Sequence, residues 1–252
     1  MPQQRLDQVL IQRGLVADEA AARALIMTGK VLVHERPVLK PGTQVAEQVP
    51  IRIKEPALAW ASRGALKLEA ALTALQRDVR GLICLDVGAS TGGFTDLLLT
   101  RGALRVFALD VGYGQLAWKL VQDPRVVVMD RCNVRHLQPT DLPGPIDFLT
   151  LDLSFISLKL ALPPAAACLR VGGHGVALVK PQFELPKECI PKGGVITNPT
   201  LHQRALEQVV QIGHTIGLTP MHLLPSPILG ATGNQEFLYC FTKTADQDPV
   251  TP

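Results

Sequence analysis

The chain has 252 residues, of which 47% are apolar and 19% charged, with a formal net charge of +3. That length suits a small domain plus a medium one, because independently folding units run to ~50–200 residues, and the apolar share excludes a disordered chain. A charge of +3 permits an anionic partner without arguing for one, and five cysteines (Cys84, Cys132, Cys168, Cys189 and Cys240) without CxxC spacing argue against a disulfide framework or a zinc centre, so reduced thiols and no metal are expected.

Arg5, Asp7 and Arg13 interrupt the first apolar residues, so no signal-peptide core forms, and no later run approaches the ~20 apolar residues of a membrane span. A soluble, cytoplasmic protein without a membrane partner is expected. From Gln4 the spacing of Leu6, Val9, Leu10 and Leu15 predicts a helix that Gly14 stops, and Asp18 is placed to cap a second helix through Ala20–Met27. After Gly29, the residues Val31, Leu32, Val33, Val38, Val45, Val49, Ile51 and Ile53 mark short strands broken by Arg36-Pro37 and by Lys40-Pro41-Gly42. Residues 1–54 thus read as a small α+β domain, too small to bury an enzyme's cleft. The break around Glu55-Pro56 puts a linker at 55–62, in which Trp60 is expected to pack rather than to bind.

From Arg63 a helix runs towards Arg77, and strands then alternate with helices: Leu82–Val87, a helix after Gly92, Arg105–Leu109, a helix after Gln115, Arg125–Met129, Ile146–Leu151, a helix near Ser157–Leu169, and Gly175–Val179. A helix from Thr200 to Ile216 and strands near Met221–Leu224 and Glu236–Thr242 follow, and the longest irregular segment falls within Asp152–Thr200. This pattern predicts an α/β, Rossmann-like domain over 63–245, with a mostly parallel seven-stranded sheet and a frayed tail at 246–252.

The first strand of that domain runs into Asp86-Val87-Gly88-Ala89-Ser90-Thr91-Gly92-Gly93-Phe94, where small residues let the backbone approach a ligand at a helix N-terminus. A GxGxxG dinucleotide pattern requires glycine where Ser90 stands, so a dehydrogenase is disfavoured. Asp110 and Asp130, closing the second and third strands, favour an adenosyl cofactor over a plain tight turn. Asp152 and Lys180 end the fourth and fifth strands and are expected to face one cleft. No Asn/Asp-Pro-Pro-aromatic tetrad of base-amino methylation is present, and no motif supports Cys132 or Cys189 as the nucleophile of carbon methylation, which leaves a hydroxyl acceptor. Such an acceptor needs a base, and a lysine (ordinary pKa ~10.4) serves only if burial or neighbouring cations assist it. Lys67 and Glu236 complete a Lys-Asp-Lys-Glu set if the topology brings them together; taken singly, Lys67 also reads as a helix face, Asp152 as a cap and Glu236 as a strand-end charge.

The stretches Ser62–Leu68, Asp86–Phe94, Ala108–Leu116, Leu151–Leu158, Lys180–Glu184 and Ser226–Leu238 resemble the TlyA (hemolysin-A-like) family, whose catalytic domain is of the FtsJ type, over nearly all of the chain. The resemblance implies 2′-O-methylation of cytidine in ribosomal RNA with S-adenosylmethionine as donor. It carries the family's tetrad onto Lys67, Asp152, Lys180 and Glu236, with Lys180 as base, Lys67 and Glu236 orienting it, and Asp152 between cofactor and lysines. Residues 86 and 88–94, with Asp110, Asp130 and Asp152, then hold the cofactor. The first domain resembles the RNA-binding domain of ribosomal protein S-four, with Ala17-Asp18 where that domain has a Ser-Arg pair. Arg5, Arg13, Arg23, Lys30, Lys40 and Arg63 are expected to contact phosphates of ribosomal RNA or a ribosomal subunit, and Lys192-Gly193-Gly194 to form a lid. Alternatives are a catalytically silent RNA-binding or ribosome-assembly factor and a membrane-active hemolysin.

Overall fold

The chain divides into two compact units, Met1–Ala59 and Trp60–Pro252, and the computed structural model describes residues 3–53 and 60–245. The expected tail, and all of the expected linker except Trp60–Ser62, lie outside the described residues.

In the first unit β1 (Gln3–Arg5) leads into α1 (Leu6–Gln12), α2 (Glu19–Met27) and strands β2 (Val31–Val33), β3 (Arg36–Pro37), β4 (Gln44–Ala46) and β5 (Ile51–Ile53). Leu6, Val9 and Leu10 of α1 pack on Ala22 and Ile26 of α2 and on Val31, Val45 and Val49, a core that needs one apolar stripe per helix. Asp18 caps α2, its carboxylate accepting the Ala21 N–H at 2.8 Å. Two expectations are corrected. Gln3–Arg5 pairs antiparallel with β4 instead of opening the helix, and Leu15 lies beyond the helix end. Arg36-Pro37 does not break the strands but pairs with β2 across His34-Glu35, both at positive φ, a two-residue hairpin turn made without glycine.

The second unit runs α3 (Ala65–Leu75), β6 (Ile83–Val87), α4 (Gly93–Thr100), β7 (Arg105–Leu109), α5 (Trp118–Val121), β8 (Val126–Met129), β9 (Ile146–Leu151), α6 (Leu158–Ala167), β10 (Leu169–Val179), α7 (Pro181–Glu184), α8 (Pro199–Thr215), β11 (Leu218–Pro225) and β12 (Phe237–Lys243). Its seven-stranded sheet has the order β11-β12-β10-β9-β6-β7-β8, parallel except for β12. Alternation along the strands builds two cores. Tyr239 and Phe241 join α6 and α8 on one face, and Leu238 and Cys240 join α3 and α4 on the other. Trp60 packs on the second of these.

Three boundaries differ from expectation. β10 begins at Leu169, before a register shift that ends at His174, so the glycines at 172 and 173 sit in an irregular stretch of strand rather than before one. β11 spans Leu218–Pro225, extended on both sides by pairing with β12. The helix after Gln115 is a single turn, followed closely by Pro124, which biases the preceding residue away from helix.

Candidate active site

The parallel strands all end at one rim of the sheet, and the antiparallel β12 begins there. Gly88 follows β6, Asp152 follows β9 and Lys180 follows β10, while Glu236 stands opposite Lys180 because Val179 pairs with Phe237. Lys67 reaches the same point from the first turn of α3. The crevice between β6 and β9, where connections leave in opposite directions, is where open α/β sheets bind ligands.

Lys67 Nζ lies 2.6 Å from Glu236 Oε2 and 3.4 Å from Asp152 Oδ2. Lys180 Nζ lies 2.6 Å from Asp152 Oδ1 and donates to Ser154 Oγ at 3.2 Å. Both lysines are only 7% exposed and Glu236 3%, a degree of burial that such residues reach when paired. Asp152 bridges the two lysines, and the contacts that connect Lys67 and Glu236 to Lys180 run through that carboxylate. A Cβ on Gly230 would fall 2.4 Å from Glu236 Oε1, and the bare backbone makes room for the acid.

Beside this cluster the loop after β6 turns with Ser90 where a dinucleotide fingerprint would need glycine. Ser90 takes a left-handed φ of 48° and its N–H donates to Asp110 Oδ2 at 2.8 Å. Asp110 Oδ1 accepts the Gly112 N–H at 2.7 Å, and Asp130 accepts the Gly114 N–H at 2.9 Å, so both acids shape the rim next to the loop. Gly92, at φ 96°, leaves no space for a Cβ, which would lie 2.2 Å from Leu120. Gly88, Ala89, Ser90, Thr91, Gly93 and Phe94, with Ser62, Gly64, Asp152, Ser154 and Lys180, line a cleft of about 200 Å³. A larger cleft of about 570 Å³ opens on the other side of Lys180, lined by Phe155, Gln182, Phe183, Gly193, Gly194, Thr232 and Glu236 among others. Ser154 and Lys180 belong to both walls.

Asp86 is a correction. It is fully buried, its oxygens accept the hydroxyls of Thr95 at 2.7 Å and Thr150 at 2.8 Å, and burial pushes its carboxyl up to about 6. It ties α4 and β9 to β6 instead of facing the cofactor cleft. The thiol of Cys132 is pushed up by burial, the opposite of what a nucleophilic cysteine needs.

Sequence reasoning assigned no role to Ser62, Ser154, Phe155, Phe183 or Asn234. Phe155 is 91% exposed at a left-handed φ of 64°, its ring 5.3 Å from that of Phe183. The signal was an aromatic beside each of two strand-end residues. Asn234, buried, accepts the Ile196 N–H at 2.9 Å and donates to the Gly194 carbonyl at 2.8 Å, anchoring the Lys192-Gly193-Gly194 segment beside the larger cleft. Among the described residues no group of three or more His, Cys, Asp or Glu is placed to hold a metal ion.

In the first unit the expected cations divide into two kinds. Arg5 donates to Asp7 at 2.6 and 3.0 Å and holds that buried carboxyl below its usual range, and Arg13 donates to the carbonyls of Val49 and Glu47. Arg23 lies 3.6 Å from Glu19. Lys30 is half-buried and Lys40 exposed, and Arg63 of the second unit is exposed; none of these three makes an ion pair among the described residues.

A mostly parallel seven-stranded sheet with a small glycine-lined cleft at its switch point, beside buried lysines and acids, is the arrangement of an S-adenosylmethionine-dependent methyltransferase. The FtsJ-like methyltransferase family model matches residues 60–243, and the chain belongs to that family. It is 45% identical over 242 residues (95% of this chain, 90% of the relative) to the 16S/23S rRNA (cytidine-2′-O)-methyltransferase TlyA of Mycobacterium tuberculosis. YqxC of Bacillus subtilis, described as a candidate rRNA methyltransferase, is 44% identical over 93% of this chain and 84% of its own length. A solved structure from Streptococcus thermophilus, described as a candidate hemolysin, superposes with a TM-score of 0.74 at 41% identity, covering 97% of this chain and 90% of that one. Among the described residues no helix is long and apolar enough to cross a membrane.

Proposed function

We propose that this enzyme methylates the 2′-hydroxyl of a cytidine ribose in ribosomal RNA, acting on ribosomal RNA or subunits in the cytoplasm. One observation carries the reading: Lys180 and Ser154 form part of both clefts, so a donor against the Gly88–Phe94 loop and a nucleotide in the larger cleft meet at the lysine. S-adenosylmethionine, when bound, supplies an electrophilic methyl group on a sulfonium. Residues 88–94 with Asp110, Asp130 and Asp152 hold it, and the small cleft with its glycine-lined wall fits the close backbone approach such a ligand needs.

Lys180 is the general base, taking the proton of the ribose hydroxyl at Nζ. With both lysines protonated the Lys67–Glu236–Asp152–Lys180 cluster is neutral, and with Lys180 neutral it carries one negative charge, the sign that suits a cationic donor. Asp152 fixes Lys180, and the Lys67–Glu236 pair fixes Asp152, so the base is preorganised by buried contacts. Phe155 and Phe183 present aromatic faces at the mouth of the larger cleft, suited to an unstacked base. Lys30, Lys40 and Arg63 contact phosphates directly, and Arg5, Arg13 and Arg23 contribute charge from positions already tied to the fold.

The reading is tested by incubating unmodified small and large subunits, and the naked RNAs, with enzyme and donor, followed by alkaline digestion. A new alkali-resistant dinucleotide carrying 2′-O-methylcytidine is expected. Methyl groups found only on bases, or none on any of the four substrates, would overturn it.

A further inference from the structure

Glu184 lies outside the tetrad, at the end of α7, yet its carboxylate crosses to the neighbouring loop. Oε2 accepts the Ser157 hydroxyl at 2.6 Å and Oε1 accepts the Leu158 N–H at 2.9 Å. Ser157 is itself the N-cap of α6, its Oγ accepting the Lys159 N–H at 3.1 Å. An acid here completes the cap of a ten-residue helix, where negative charge is favoured.

The two segments joined by this tie carry the reacting cluster. One is the loop from Asp152 through Ser154 and Phe155 to Ser157, and the other is Lys180 with the short helix α7, through Phe183 to Glu184. They touch at three places: Lys180 on Asp152 and Ser154, the Phe155 and Phe183 rings, and Glu184 on Ser157 and Leu158. Phe155, at a positive φ and largely in solvent, does not hold its own conformation, because a non-glycine residue in the left-handed region is strained unless its surroundings fix it. Asp152 is anchored at its end of the loop by its N–H to the Val87 carbonyl at 3.0 Å. The other end is anchored by Glu184. Burial pushes the Glu184 carboxyl up, against the downward pull of the two hydrogen bonds it accepts from Ser157 and Leu158.

We propose that Glu184 is a positioning residue for methyl transfer, setting the separation of Lys180 from Asp152 and the pairing of Phe155 with Phe183 by tying α7 to the loop after β9. This rests on the proposed function for its catalytic consequence but not for its structural one. Glu184→Ala, Glu184→Gln and wild type are compared by methyl-transfer kinetics on ribosomal subunits, by donor affinity from calorimetry, and by hydrogen exchange followed by mass spectrometry. Because sub-ångström positioning of a base is worth ~10–10²-fold in rate, Glu184→Ala is expected to lower kcat by about that factor. Donor affinity should be unchanged, with faster exchange confined to residues 152–160. Glu184→Gln keeps an acceptor for the Leu158 N–H and a side chain that reaches Ser157, and should recover most of kcat. Wild-type kcat in Glu184→Ala, exchange raised throughout the second unit with donor affinity lost, or a Gln variant as slow as the Ala variant would each overturn the proposal. If wild type transfers no methyl group at all, the proposed function fails, while the exchange pattern still decides the tie.

Discussion

Gly88→Ala tests how closely the cofactor loop and the reacting cluster are joined. Gly88 has φ 85°, and a Cβ there would lie 2.5 Å from the Asp152 carbonyl oxygen and 3.1 Å from a Leu153 methyl. The leucine can turn aside, but the Asp152 backbone is held by its N–H to Val87 at 3.0 Å, and its side chain by both lysines. Restoring an ordinary carbon–oxygen contact of ~3.3–3.6 Å requires a displacement of about 1 Å, and misplacement on that scale costs ~10²-fold in rate. The left-handed backbone adds ~1–2 kcal/mol of strain, which for a chain of this size lowers Tm by about 2–8 °C. Methyl-transfer kinetics, donor calorimetry and a thermal scan should therefore show kcat/KM down ~10²-fold, weaker donor binding and a modestly lower Tm. Gly144→Ala, where a Cβ meets nothing within 4 Å, should leave all three unchanged. Native turnover and donor affinity in Gly88→Ala would show that loop and cluster do not share a boundary.

Lys67→Met leaves Glu236 buried without its cation, an effect of ~3–5 kcal/mol visible as a large fall in Tm; adding Glu236→Leu should restore stability but not methyl transfer, and recovered turnover in the double variant would remove the pair from the account. Asp86 has a carboxyl raised from 3.8 to about 6 in the folded chain. Between those values the folded state keeps a proton that the unfolded chain has lost, so wild type loses up to about 3 kcal/mol as pH rises through that window. Asp86→Asn does not titrate, and its Tm relative to wild type should climb from about pH 4 to about pH 7; a pH-independent difference would contradict this. Phe155→Ala should raise KM for RNA by about 5–150-fold, the ~1–3 kcal/mol of a stacked base, with Tm unchanged because the ring is in solvent. Lys40→Ala should weaken RNA binding and reduce the slope of log affinity against log salt by about 1 without altering Tm, whereas Arg13→Ala should destabilise the first unit, since two carbonyls lose their donor.

The alternation of strands and helices was legible because each strand is a short apolar run bounded by glycine, proline or acid. The strand-end rule then drew Asp152 and Lys180 to one rim. Glu236 was reachable only because the last strand, running antiparallel, starts where the others finish. What sequence could not give is where a strand stops relative to its carboxylate: Asp86 lies inside β6 and is sealed among threonine hydroxyls, whereas Asp152 stands one residue past the end of β9 and bridges two lysines. Contacts made across loops were also silent. Arg5, expected only as a phosphate contact, also pairs with the buried Asp7, and Glu184 and Asn234 act through backbone amides and carbonyls that no motif advertises. The His34-Glu35 turn was hidden because neither residue carries the glycine signal of a tight hairpin.

Methyl transfer here turns on Lys180 removing the proton from a ribose hydroxyl within a preformed cluster. The most direct measurement is single-turnover transfer of tritium-labelled methyl from S-adenosylmethionine to unmodified ribosomal subunits by wild type and Lys180→Ala, with donor affinity measured alongside and the RNA digested to nucleosides. Label is expected in 2′-O-methylcytidine with wild type and none above background with the variant, while the variant still binds donor. Transfer by Lys180→Ala at the wild-type rate, or label recovered in a base-methylated nucleoside, would contradict it.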